Sequence, residues 1–160
     1  MIFTDILNRE WECQCIGCAI ASGEVETPGG NIAETKNFRL DQDPEIPIKG
    51  FLIIASKSHM KSISQLNCEE SQELFALVYR ARIALKSIAD IKEVTIIQEE
   101  RSGHFHLWLL PRYEWMDEKF ANSLSTIREI MTYSKNNLKS QENIENILTV
   151  VKKIKKIIND

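Results

Sequence analysis

The sequence predicts an α+β domain. Between Trp11 and Arg112 short strand-like runs alternate with turn signals, a single long amphipathic helix interrupts them, and from Asp117 onward the pattern is helical. At 160 residues with 43% hydrophobic content, the chain is sized for one core. A domain of this length buries roughly 68–70% of the surface its unfolded chain exposes, so neither a metal nor a disulfide is required merely to fold it. The organisation divides at residue 116, giving a mixed front (1–116) and a helical extension (117–160).

The paired glycines of TPGGN, Thr27 to Asn31, tolerate positive φ and predict a tight turn, followed by a strand over Ile32–Leu40. GFLIIA (Gly50–Ala55) and EVTIIQE (Glu93–Glu99) are rich in β-branched residues and read as strands. Between them Asn67 can cap a helix, with Glu70 three residues on to complete a capping box. Leu74, Leu77, Val78, Ala81, Leu85 and Ile88 then recur at helical spacing as a buried stripe. In HFHLWLL the alternation is that of a strand, so His104, His106 and Trp108 share one face while Phe105, Leu107 and Leu109 share the other. The apolar face has a core to join, which leaves the histidines and tryptophan for a site.

Two helices are expected in the back. One covers about Asp117–Asn136, with Phe120, Leu124, Ile127 and Met131 in line. The other begins near Gln141, with Ile144, Ile147, Leu148, Val151, Ile154 and Ile158. Ser140 is a suitable cap for the second, Glu142 and Glu145 lie near its start and lysines crowd its end, as the helix dipole prefers. Together they read as an amphipathic hairpin that covers the domain or meets a partner.

A net charge of −3 argues against a protein that coats extended nucleic acid, although Lys152 to Lys156 is locally basic; a small diffusible ligand fits better. No apolar run approaches the roughly 18–20 residues of a membrane helix, and the first residues lack the basic-then-apolar pattern of a leader, so no membrane and a cytoplasmic location are expected. The four cysteines, Cys13, Cys15, Cys18 and Cys68, are then expected to be reduced.

The three histidines are His59, His104 and His106. Cys15 and Cys18 form a C-x-x-C, a spacing that lets two thiolates grip one ion from a single turn, but taken alone it suits a redox dithiol or two buried thiols as well. Cys13 reads as a spare thiol and Cys68, at a helix start, as structural.

Three segments, CIGCAIASGEV, GFLIIASKSHMKSISQL and HFHLWLLPR, resemble in the same order the Cys-containing turn, the strand with following lysine and histidine, and the signature strand of the histidine triad (HIT) superfamily. The likeness covers about residues 11 to 115. It implies a HIT-like fold, in which a bent antiparallel sheet carries one long helix, with the C-terminal helical hairpin as an extension. Two departures stand out: Trp108 replaces the third signature histidine, and Gly50 stands where hydrolase members commonly place a histidine. Both are similar to the galactose-1-phosphate uridylyltransferase branch, whose structural zinc would fall here on Cys15, Cys18, His59 and His104.

The resemblance makes His106 the nucleophile. A neutral imidazole can attack an α-phosphorus and hold the nucleotidyl group as a phosphoramidate. It also implies a nucleotide or nucleotide-conjugate substrate and a homodimer. Ribose contacts would come from Gln42, eight residues before Gly50, or from its neighbours Asp41 and Asp43. Trp108 keeps an indole N–H that could donate or a ring that could stack, and Ser102 and Arg101 could supply what the missing histidine gives. Glu100, where a glutamine often contacts phosphate, would need Arg101 or Lys57 to neutralise it. The expected function is a nucleotide phosphohydrolase for a dinucleoside polyphosphate or nucleoside phosphoramidate. The alternatives are a nucleotidyltransferase, a non-catalytic nucleotide-binding module and, more remotely, a thiol redox protein.

Overall fold

The computed structural model describes residues 1–160. A five-stranded antiparallel sheet runs in the order β3 (Ala33–Glu34), β4 (Phe38–Gln42), β5 (Leu52–Ser56), β7 (His106–Arg112), β6 (Glu93–Gln98), preceded by a small hairpin of β1 (Ile2–Thr4) and β2 (Glu10–Glu12) and a short helix α1 (Ile16–Ser22). The long helix α2 (Cys68–Leu85) joins β5 to β6. After β7 come α3 (Glu114–Lys119), α4 (Ile127–Asn137) and α5 (Gln141–Asn159).

α2 starts as its sequence requires. Asn67 Oδ1 accepts from the Glu70 amide at 2.9 Å, and Glu70 returns the bond to the Asn67 amide at 3.0 Å. Its buried residues include Leu74, Leu77, Val78, Ala81 and Leu85, while Ile88 lies just beyond the helix and is buried too. α5 is capped by Ser140, whose hydroxyl accepts from the Asn143 amide at 3.2 Å, and it buries Ile147, Val151, Ile154 and Ile158. One cluster of 33 buried residues draws on the sheet, α2, α4 and α5 alike, so the hydrophobic interior runs across residue 116 without interruption.

Several expectations need correction. The strand expected over Ile32–Leu40 is a hairpin: Thr35 donates its amide to Phe38 O at 2.9 Å, and Ala33 and Glu34 fold back on Leu40 and Arg39. Glu73 fixes the turn by accepting both the backbone and the side-chain amide of Asn37, each at 2.7 Å. The helix expected over 117–136 is broken. α3 stops at Lys119, Phe120 is extended, and Ser123 caps a 3-10 turn (Leu124–Thr126) by accepting from the Ser125 amide, so the helix proper restarts at Ile127. Serines that bond their own backbone compete with helix continuation. α5 makes its close approach to α2 and β3 rather than lying along α4; Arg80 of α2 donates to Ile158 O at 2.8 Å.

The β1–β2 hairpin was not expected from the sequence, and Asp5 holds it together. This buried carboxylate accepts from the Leu7 and Arg9 amides, the Arg9 guanidinium and the Trp11 indole. Burial alone would push Asp5 up, but these donors hold its carboxyl below the usual carboxylate range. Replacing Asp5 by Ala is therefore expected to leave several donors without a partner and to cost about 2–4 kcal/mol, read as a lower midpoint in urea unfolding.

Candidate functional site

β5 and β7 pair in the middle of the sheet, with Ala55 opposite His106 and Ile53 opposite Trp108. Side chains alternate along β7, so Leu107 and Leu109 enter the core while His106 and Trp108 face out beneath α1 and the loop after β4. Between these walls lies a cleft of about 490 Å³, lined by His59, Ser102, His104, His106, Trp108, Asp41 and Asp43, among others.

At one end of the cleft four ligand atoms converge. The Cys15 and Cys18 sulfurs and the His59 and His104 Nδ1 atoms all lie within 4.8 Å of one another. Cys15 Sγ stands 3.3 Å from His104 Nδ1 and 3.7 Å from His59 Nδ1, Cys18 Sγ stands 3.5 and 3.3 Å from the same atoms, and the two nitrogens are 3.3 Å apart. A tetrahedral ion with ordinary zinc–sulfur and zinc–nitrogen bonds has edges of roughly 3.3–3.8 Å. The four sulfur–nitrogen edges and the nitrogen–nitrogen edge fall within that range. His104 carries the outer support that metal histidines need: its Nε2 lies 2.8 Å from Ser56 O, which fixes the ring with Nδ1 free to ligate. Burial holds the His104 pKa down, which keeps the ring in the neutral form a metal binds, and burial raises the Cys18 thiol.

The packing of α1 against His104 is unusually close. A Cβ on Gly17 would sit 2.4 Å from His104 Cδ2, so only glycine lets the helix reach the ring. Gly17→Ala is expected to displace His104 from the other three ligand atoms and to weaken zinc uptake about tenfold or more, measured by competition with a chromophoric chelator.

His104 and His106 differ sharply. β7 begins at His106, so His104 lies just before the strand rather than on it. The His106 ring is half-buried, and its Nδ1 donates to His104 O at 3.1 Å. This main-chain bond sets the tautomer and leaves Nε2 with a free lone pair. Burial lowers the His106 pKa from its ordinary value, which also favours the neutral ring.

Trp108 is not a free donor. Its indole N–H donates to Asp43 Oδ2 at 3.1 Å, its ring centroid lies 4.7 Å from that of His106, and the Arg128 guanidinium of α4 stands 5.7 Å above it. Arg128 also pairs with Glu99 at 3.1 Å. Neither contact could be foreseen, since the linking partners lie far away in sequence.

Asp43 accepts from the Glu45 and Ile46 amides on its other oxygen, both at 2.9 Å, and its burial raises the carboxyl pKa to about 6. Because the folded side chain keeps its proton up to about pH 6 while an unfolded one releases it near 3.8, Asp43 withdraws stability as pH rises through that interval. Asp43→Asn should flatten this part of the curve of melting temperature against pH.

The remaining predicted residues separate. Gln42 does not reach the cleft: it is fully buried on the opposite side of β4, with Nε2 donating to Ile48 O at 3.0 Å. The period of two that brings Asp41 and Asp43 to the cleft turns residue 42 away from it. Asp41 itself is engaged by Thr27 Oγ1 at 2.7 Å and by Arg39 at 3.0 Å. Ser102 lines the cleft and donates to the Glu99 and His104 carbonyls. Glu100 accepts from Ser62 Oγ at 2.6 Å, and Lys57 pairs with Glu34 at 3.0 Å, so Lys57 does not neutralise it. Gly50 has φ +73, and a Cβ there would meet Leu85 and Ile91 at 3.2 and 3.3 Å, so the interior closes this position to a histidine. Cys13 is buried and Cys68 exposed, both outside the ligand cluster.

No protein-family model matches the sequence, nor does any curated protein. Solved structures do. A histidine triad nucleotide-binding protein from Sulfolobus tokodaii is similar at TM-score 0.64 and 18% identity, over 91% of this chain and 92% of that one. A HIT family protein from Bacillus anthracis gives 0.58 and 23%, over 87% and 95%. A zinc-bound histidine triad protein from Mycobacterium smegmatis gives 0.58 and 17%, over 87% and 94%. These alignments reach past residue 116, into the helices that the sequence resemblance left out. Carrying that antiparallel sheet, its long α2 and the signature strand, the chain has the histidine triad fold.

Proposed function

We propose that the protein is a zinc-stabilised enzyme that transfers a nucleotidyl group through His106, as a nucleotide phosphohydrolase or as a nucleotidyltransferase. The observation that carries this reading is the His106 ring in the cleft, with Nδ1 occupied by His104 O and Nε2 unoccupied. The Nε2 lone pair attacks an α-phosphorus and forms a P–N bond as the leaving group departs with its bonding electrons; water or a second substrate then attacks phosphorus and returns the electrons to Nε2. The Nδ1 proton stays on the ring, where the His104 carbonyl stabilises the positive charge.

Zinc would bind Cys15, Cys18, His59 and His104. With all four positions taken by protein atoms the ion is structural, tying α1 and the loop after β5 to the start of β7. Ligated thiolates are no longer a dithiol, which disfavours a thiol redox role.

Nucleotide specificity is tested by thermal stabilisation across adenosine, guanosine and uridine phosphates, since any ligand that prefers the folded state raises its melting temperature. A nucleotide-dependent shift without covalent labelling of His106 would indicate the binding module instead.

A homodimer completes the reading. Phe75, Tyr79 and Ile83 lie four residues apart on α2 and remain 73%, 61% and 40% exposed, and β6 is an edge strand bearing the half-exposed Ile96. Phe75→Glu is expected to convert the dimer to a monomer in light scattering. No helix is long and apolar enough to cross a membrane, and we place the protein in the cytoplasm, where free thiols persist.

A further inference from the structure

We propose that the groove between the free edge of β3 and the end of α5 binds an acidic peptide segment in extended form. The groove measures about 650 Å³ and shares no residue with the nucleotide cleft, so the inference stands apart from His106 chemistry.

Its charge comes from one helix. Lys152, Lys155 and Lys156 line the groove from one face of α5, all exposed, while Val151, Ile154 and Ile158 on the other face are buried. None of the three makes an ion pair or donates a side-chain hydrogen bond, whereas Lys153, outside the groove, donates to Ser87 O. The one carboxylate in the lining, Glu34, is already paired with Lys57 at 3.0 Å. The helix dipole favours lysines at the end of α5, but it does not gather three of them on a groove with no anion to answer them. Like charges at this spacing repel, and a bound anion would relieve the repulsion.

The strand supplies the shape. β3 ends the sheet, so one side of it has no partner strand. Thr35 donates to Phe38 O within the hairpin, and the alternation of an antiparallel ladder then turns the N–H and C=O of Glu34 outward, toward the free edge. Asn159 donates to Ile32 O at 2.8 Å, docking the end of α5 against the strand two residues before Glu34. An extended chain laid beside β3 can bond the Glu34 main chain. Its side chains on one face recur about every 6.8 Å, close to the separation of about 5–6 Å between lysines one helical turn apart.

Other anions fit less well. Single-stranded nucleic acid is held by aromatic rings as well as cations, and no aromatic residue lines the groove. Phosphate esters favour the arginine fork, and all three cations are lysine. A membrane surface calls for an exposed apolar anchor, whereas Ile32 and Ala33, the hydrophobic residues of the lining, are buried.

The test titrates the full-length zinc-loaded protein with a fluorescent hexapeptide of alternating glutamate and valine, with the same peptide carrying glutamine for glutamate, with oligouridylate and with phosphatidylserine vesicles. The acidic peptide should bind with a Kd of about 10–100 μM at low salt, weaken as salt rises, and slow amide exchange at Glu34. Lys152→Gln, Lys155→Gln and Lys156→Gln combined should weaken it about tenfold or more, with melting temperature and zinc content unchanged. Equal binding of the glutamate and glutamine peptides, or indifference to the triple substitution, would overturn the inference. So would unaltered exchange at Glu34, or tighter binding of the oligouridylate or the vesicles than of the acidic peptide.

Discussion

Replacing His106 by Ala should lower turnover of any accepted nucleotide by about a thousandfold or more and abolish the acid-labile nucleotide adduct, while zinc content and melting temperature change little. The magnitude follows from removing the nucleophile itself; what remains is binding and orientation, which alone supply a small part of a covalent mechanism. Stability should be nearly conserved because the ring is only half-buried and its one hydrogen bond goes to a carbonyl just before its own strand. His106→Gln tests the geometry further, since an amide can still donate to His104 O but offers no ring nitrogen to phosphorus. Mass spectrometry after an acid-free quench reads the adduct. An unchanged rate in His106→Ala would show that the chemistry does not pass through residue 106.

The sequence made α2, α5 and most of the sheet legible because each is written in local chemistry, whereas the four-ligand cluster was legible only through the resemblance to the histidine triad superfamily, since Cys15 and Cys18 alone left other readings open. A capping box with a period of 3.6 specifies α2, and two-residue alternation puts Leu107 and Leu109 inside and His106 and Trp108 outside. The same alternation excludes Gln42, and counting back from Gly50 missed this because strand facing outweighs a fixed spacing. Other features depend on partners distant in the chain. The Trp108–Asp43 bond spans 65 residues, and Arg128 reaches Trp108 from α4. The break between α3 and α4 lay in serines whose competition with the helix is weak until tertiary packing favours it.

Removing the zinc ligands should have the second large effect, this time on stability. Cys15→Ser, or exhaustive chelation, is expected to cost about 3–5 kcal/mol and lower the melting temperature by roughly 8–15 °C, without unfolding the protein at 25 °C. The first part follows from what the ion would join: α1, the loop bearing His59 and the start of β7 come from three separate stretches of chain, and without the ion two thiols and two imidazoles crowd within 4.8 Å with no common partner. The second part follows from the core. Its 33 buried residues come largely from the sheet, α2, α4, α5 and the loops that join them, whereas α1 packs its Ala19 and Ile20 into a separate cluster of five with Phe3, Cys13 and Val25. Loss of zinc should therefore loosen the N-terminal unit first, and hydrogen exchange should rise in residues 1–25 before it rises in β5 or β7. Because Cys15, His59 and His104 also line the cleft, the metal-free protein should lose nucleotide affinity before it loses its fold. A chelated protein that melts as the native one does would mean that packing alone holds these segments.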